Sequence, residues 1–163
     1  MKPTILPLMA LIMLFSFSCS TDSIEDEKID ALVSSYVPET KLVEVEILDL
    51  INLHRTTLNL DRLQNMSTIK SVAFGHTDYM IENEEFSHAY FFDRKEQLMK
   101  NAGATAVGEN IAFAFNSPVS VVNAWLNSEG HREVIEGDYT NFDISAEQDE
   151  NGRWYYTNIF IKK

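Results

Sequence analysis

The stretch Gly108–Arg132 reads GENIAFAFNSPVSVVNAWLNSEGHR, and it carries more of the fold than any other part of the chain. Ser117-Pro118 is a helix start. The Ser side chain accepts from the first free N–H groups, and Pro at the first helical position has no N–H to lose. Val121, Val122, Ala124 and Trp125 follow as one apolar face, and the helix is expected to end near Ser128. Two polar islands flank it, Gly108-Glu109-Asn110 before and Ser128-Glu129-Gly130-His131-Arg132 after. A third, Phe86-Ser87-His88, lies upstream. Each places a His or Glu beside a Gly, a Ser or an aromatic residue. Within the second, Asn110 reads as a turn stabiliser.

Downstream, Ile144–Gln148 and Trp154–Ile161 are the clearest strands, and Asn151-Gly152 between them is a hairpin turn signal. Upstream, a short helix runs from Asp93 or Arg94 to Ala102 and is stopped by Gly103. Before it, Ser67 and Thr68 can cap a helix whose buried stripe is Ile69, Val72, Ala73, His76 and Met80. His76 is thus expected as a hydrogen-bonded core residue. Val43, Ile47, Leu50 and Ile51 define an earlier helix that ends near His54-Arg55, two cations suited to its negative end. Leu58, Leu60 and Leu63 carry the apolar pattern on through a loop. Trp125, Phe91, Phe92, Phe113 and Phe115 read as core.

The first nineteen residues read as a lipoprotein signal peptide. Lys2 gives a positive start, and Ile5 to Phe17 is an apolar run too short to span a bilayer. Cys19, the single cysteine, ends that run and reads as the lipid attachment point. A cleaved signal without lipid is the plainer alternative. One cysteine leaves no intrachain disulfide, so the domain must be held by its core. Residues 20–40 contain Asp22, Glu25, Asp26, Glu27 and Asp30 and read as an acidic tether, with the domain over 41–163. A formal charge of −12 excludes a nucleic-acid partner, which needs a basic stripe, and argues against electrostatic docking on anionic lipid.

The order of the motifs resembles the CAP superfamily (cysteine-rich secretory, antigen 5, pathogenesis-related-1) in its bacterial, cysteine-free form. The matching string runs from Asn52-x-x-Arg55 through Ala73-x-x-His76 and Phe86-Ser87-His88 to Gly108-Glu109-Asn110-Ile111-Ala112. It continues with Val121-Val122-x-x-Trp125-x-x-Ser128-x-Gly130-His131-Arg132 and Tyr156-Thr157-Asn158-Ile159-Phe160. The resemblance implies an α+β chain, a three-layer α/β/α sandwich around a mainly antiparallel sheet. It also implies an extracytoplasmic domain with His88 and Glu109 facing each other across a cleft. Two positions depart from the eukaryotic tetrad. Ser128 stands where a second Glu is expected, and Tyr155 where a second His is expected. Glu129 is one residue further on, about 100° round a helix, and need not enter the cleft.

His88, Glu109 and His131 are the candidate catalytic or metal-binding residues. Imidazole and carboxylate both donate to Zn²⁺ or another divalent cation. The same pair can work without metal, since a carboxylate fixes an imidazole's tautomer for acid–base chemistry. Ser128 has no base within its own motif, which argues against a Ser nucleophile. Arg132 is expected to anchor the helix end by pairing with an acid. Three functions follow: a binding module for a lipid, envelope component or protein; a purely structural polar centre; or a metal-dependent peptidase with Glu109 as base. The membrane is the expected partner through lipid on Cys19. In fractionated cells, Cys19→Ser is expected to move the chain from the membrane pellet to the soluble fraction; continued pelleting of that variant would refute the anchor.

Overall fold

The computed structural model describes residues 36–163. The signal segment, Cys19 and most of the expected tether lie outside the described residues. The last residues of that tether stretch are packed. The Tyr36 ring meets Phe74 edge-on at 5.5 Å, and Ser71 Oγ donates to the Tyr36 carbonyl at 2.6 Å. Pro38 is buried.

The elements are α1 (Leu42–Thr57), β1 (Gln64–Asn65), α2 (Ser67–Glu82), α3 (Phe91–Ala102), β2 (Ala106–Phe113), α4 (Pro118–Asn127), α5 (Glu129–Glu136), β3 (Asn141–Gln148) and β4 (Trp154–Lys162). The sheet order is β1-β3-β4-β2. β1 runs parallel to β3, and the β3–β4 and β4–β2 pairs are antiparallel. The α+β sandwich is as the sequence implies.

Strand alternation assigns the layers. On one face Phe142, Ile144, Ala146, Tyr156 and Phe160 pack with Ile47 and Ile51 of α1, Val121 and Trp125 of α4 and Ile135 of α5. On the other, Ile159 and Ile161 pack with Ile69, Val72 and Ala73 of α2 and with Leu98 and Ala102 of α3. Burying a side chain such as Leu98 or Ile159 is worth about 1.5–3 kcal/mol, so these clusters drive the layering.

Several boundaries differ from the sequence reading. Met66, not Ser67 or Thr68, is the cap residue of α2, and its side chain makes no cap bond. α3 begins at Phe91 and ends at Gly103, which adopts φ +68°. The sequence pattern did not reveal β1, β2 or α5. Gly108-Glu109-Asn110 is therefore strand, not turn, and Asn110 is fully buried in it. Gly108 is needed for close approach: a Cβ there would lie 2.5 Å from the Tyr139 hydroxyl and 3.0 Å from Val134 Cγ1. The Ser117 cap and Pro118 are where the sequence puts them, with Ser117 Oγ accepting from Ser120 N at 3.2 Å.

The Asn52-x-x-Arg55 pair has a structural task. Asn52 exchanges two bonds with the Leu63 backbone, at 2.8 and 3.1 Å. Arg55 is 2% exposed and donates to the carbonyls of Ile135 and Gly137, so it caps α5 rather than the end of its own helix. His54 meets Glu136 at 2.8 Å. Arg132 bonds the Leu126 carbonyl at 3.0 Å, capping α4, where the sequence reading paired it with an acid.

A charge cluster sits between the layers. Lys70 and Glu44, 2% and 0% exposed, form an ion pair. Lys70 also donates to the Ile144 carbonyl at 2.9 Å, and Glu44 accepts from Ala146 N at 2.9 Å. α1, α2 and β3 are thereby joined through one pair. Asp143 lies nearby, accepting from the Ile144 and Met66 amides. Burial pushes its carboxyl up to about 6, against those bonds and the Lys70 charge. Removing one partner of a buried pair leaves the other uncompensated. Lys70→Met is therefore expected to cost about 3–5 kcal/mol in urea unfolding. Lys162→Met, which removes only an exposed pair with Asp138, should leave the midpoint unchanged.

Candidate functional site

Glu109 points from β2 toward the α2/α3 face, and its side chain is 1% exposed. Arg94, in the first turn of α3, grips it with both arms: Nε donates to Oε2 at 2.8 Å and Nη2 to Oε1 at 2.7 Å. The third guanidinium nitrogen donates to the Ala89 carbonyl at 2.5 Å. One side chain thus ties strand, helix and the loop that carries His88.

His88 Nδ1 lies 2.8 Å from Glu109 Oε1, and since an ionised carboxylate only accepts, the ring N–H donates. The imidazole is 51% exposed while its partner is buried. Burial works to raise the Glu109 carboxyl, but bonds from His88 and Arg94 and the Arg94 charge outweigh it and hold it below the usual range. The loop is locally braced. Ser87 Oγ donates to Glu85 at 2.7 Å and accepts from Ala89 N at 3.2 Å. Tyr90, the cap residue of α3, sits at φ 57°, ψ 24°, a conformation that costs a non-glycine residue about 1–2 kcal/mol. Its ring meets Tyr79 edge-on at 5.3 Å.

His76 joins this group, which the sequence stripe did not reveal. Its Nε2 donates to the Ser87 carbonyl at 3.0 Å and lies 3.9 Å from Glu109 Oε1. Nε2–H therefore carries the proton, and Nδ1 is buried without a bond partner among the described residues. Burial, then the Arg94 charge, lowers its pKa to about 4, against the opposing pull of Glu109 and the Ser87 bond.

His131 belongs to the layer on the other side of the sheet. Asn110, the neighbour of Glu109 along β2, faces α5 and donates to the His131 carbonyl at 2.9 Å. The His131 ring bonds Ser128 Oγ at 2.8 Å through Nδ1. Ser128 therefore does have an imidazole partner within its motif, contrary to the sequence reading. Burial, then the charge of His88, lowers the His131 pKa. Glu129 is exposed.

An open cleft of about 590 Å³ lies over Glu109, lined by His88, Tyr90, Phe91, Phe92, Asp93 and Glu109. His131 does not line it. Phe91 and Phe92 are walls of this cleft, not core, and Phe92 is 79% exposed. Trp125 is core as expected, 2% exposed with Nε1 donating to the Ile111 carbonyl at 2.9 Å.

The metal reading does not fit this geometry. Both Glu109 oxygens are held by a cation already, and His131 is turned to Ser128. Among the described residues, no three His, Cys, Asp or Glu side chains gather where they could hold a metal ion.

The cysteine-rich secretory protein (CAP) family model matches residues 48–160. The chain belongs to the CAP family. It is 37% identical over 124 residues to "Uncharacterized membrane protein YlbC" of Bacillus subtilis (strain 168), covering 74% of this chain and 34% of the relative. It is 30% identical over 105 residues to "Uncharacterized protein YkwD" of the same organism, covering 62% of this chain and 41% of the relative. The chain thus spans well under half the length of both. A crystal structure of an extracellular protein containing a SCP domain from Bacillus anthracis str. Ames superposes with TM-score 0.65 at 31% identity, covering 74% of this chain and 40% of that one. An outer surface protein from Borrelia burgdorferi superposes with TM-score 0.69 at 23% identity, covering 78% of this chain and 98% of that one. At that identity the likeness is one of fold.

The titration of His76 is testable. Its folded pKa is depressed, so its contribution to stability is present above about 6.5 and is lost as pH falls toward 4. Asp143 is raised, so its contribution is present at acid pH and is lost as pH rises through about 6. Between pH 7 and 5 the first costs about 2 kcal/mol and the second returns about 1. His76→Gln should lose about 2 kcal/mol less than the wild type between pH 7 and pH 5 in urea titrations. A loss on acidification equal to that of the wild type would show that His76 is not the group responsible.

Proposed function

We propose that this chain is an extracytoplasmic CAP domain that binds a cell-envelope ligand in the cleft over Glu109, attached to the membrane by lipid on Cys19. The observation that carries the binding reading is the bidentate Arg94–Glu109 pair. A carboxylate held on both oxygens by a guanidinium is a poor general base and a poor metal ligand. Beside it, exposed aromatic walls are left for a ligand to cover. The location rests on the extracellular and outer-surface proteins this chain is similar to. Among the described residues no helix is long and apolar enough to cross a membrane.

A second reading has one observation in its favour. His88 is half exposed and oriented by a buried carboxylate at 2.8 Å, the arrangement of a general acid–base imidazole. That reading is a metal-independent hydrolase and replaces the metal-dependent peptidase built on His88, Glu109 and His131.

Calorimetry with Zn²⁺ near neutral pH, on the full chain beside His88→Ala and His131→Ala, tests whether a metal takes part at all. No stoichiometric Zn²⁺ binding is expected in any of the three. Mass spectrometry of extracts of the chain purified from envelope fractions should find a co-purifying ligand that a His88→Ala/Phe92→Ala variant lacks. Absence of any such ligand, together with peptide hydrolysis that His88→Gln abolishes, would overturn the binding reading in favour of the hydrolase.

A further inference from the structure

The cleft has an unusual balance of groups. Three of its six lining residues, Tyr90, Phe91 and Phe92, are consecutive aromatics. Phe92 is 79% and Tyr90 63% exposed, so these rings cover little of the protein's own core. Phe91 and Phe92 stand 5.8 Å apart at 63°, so they form two walls that meet at an angle rather than one flat platform. The exposed His88 ring stands beside them.

The charges are one-sided. Two carboxylates line the cleft and no Lys or Arg does. Glu109 is neutralised from behind by Arg94, each of whose three guanidinium nitrogens donates to Glu109 or to Ala89. Asp93 has no ion pair among the described residues. It lies in the first turn of α3, where the helix end supplies about half a positive charge, less than the full negative charge of the carboxylate. The whole chain carries −12. An anionic ligand would meet a carboxylate and no free cation. A cation would meet ring faces, whose quadrupoles attract positive charge, and a carboxylate to pair with.

We propose that this cleft is a cation–π site for a ligand bearing a quaternary or methylated ammonium group. The rings provide the apolar contact for its methyl groups, and Asp93 provides the counter-charge. The proposal rests on the binding-module reading and names the chemistry that the cleft would recognise.

Three probes of one shape and different charge test it: choline, 3,3-dimethylbutanol and 3,3-dimethylbutanoate. Each is titrated into the full chain and followed by calorimetry and by ligand-detected NMR. Choline is expected to bind about tenfold more tightly than the neutral alcohol, and the carboxylate not at all. Phe92→Leu keeps an apolar side chain but removes a ring face, and Asp93→Asn removes the charge. Each should weaken choline several-fold, while the melting temperature falls only slightly, by no more than the loss of one helix-end charge allows for Asp93→Asn. Equal binding of choline and the alcohol, tighter binding of the carboxylate, or choline binding indifferent to both substitutions would overturn the ammonium proposal while leaving a binding cleft in place. Failure of all three probes would also overturn it, and the binding reading would then stand or fall on the envelope ligand alone.

Discussion

Glu109 places a full negative charge inside a strand, and much of the α2/α3 layer is arranged around neutralising it. Arg94 supplies the charge, His88 a further donor, and His76 a ring close behind. An uncompensated carboxylate at that depth would cost several kcal/mol, more than most single contacts in the domain contribute. The Arg94 bond to Ala89 then fixes the loop that holds His88, so the same interaction that makes the carboxylate tolerable also builds the cleft wall. Tyr90 is held in a left-handed conformation at the start of α3, a cost that persists only because its neighbours on both sides are pinned.

The second buried charge group lies toward β3. Glu44, Lys70 and Asp143 link α1, α2 and β3, and their carbonyl and amide partners are on β3 or at the start of an adjacent helix. Without a disulfide, the sandwich relies on apolar packing for its energy and on these two polar groups for its register. A one-residue slip of β3 would turn Asp143 and Ile144 to the wrong layers, which buried, directional bonds forbid more strongly than apolar contacts do.

The elements with strong local signals were legible. Ser117-Pro118 caps a helix in any context, and Asn151-Gly152 between two β-rich runs closes a hairpin. β2 was not legible, because Gly108, Glu109 and Asn110 lack the apolar alternation of a half-buried strand. Its two faces are instead satisfied by Arg94 on one side and by His131 and Tyr139 on the other, partners far away in sequence. α5 was hidden for the same reason: its apolar contribution rests on Ile135 and Val134, and its end is capped by Arg55 from another helix. His88 and Glu109 were found through motif order. His76 stands in the motif string but reads as core, and Arg94 is not singled out, since a buried His on a stripe and an Arg in a charged helix carry no mark of the carboxylate they serve. Phe91 and Phe92 were assigned to the core because composition alone cannot say which side of a helix faces solvent.

The two departures from the eukaryotic tetrad each give their position a different local partner. Tyr155 occupies the position expected for a second imidazole, on the same sheet face as Glu109. It is 4% exposed and packs on Phe113 at 4.5 Å, which in turn meets Phe86 of the His88 loop at 6.0 Å. A row of rings thus runs from strand to loop where a ligand set would otherwise converge. Ser128 replaces the second acid and turns His131 toward itself by a 2.8 Å bond. Restoring the imidazole at position 155 alone would open a cavity against Met80, Ile111 and Phe113 and leave a buried ring nitrogen to be paired. Restoring the acid at 128 alone would give His131 a charged partner without bringing a ligand to Glu109, whose oxygens Arg94 already holds. Neither change alone rebuilds a metal centre, because Arg94 now supplies the positive charge that a metal would bring. Aromatic walls and a carboxylate already paired with Arg94 line this cleft, an arrangement that suits contact with a ligand better than coordination of a metal.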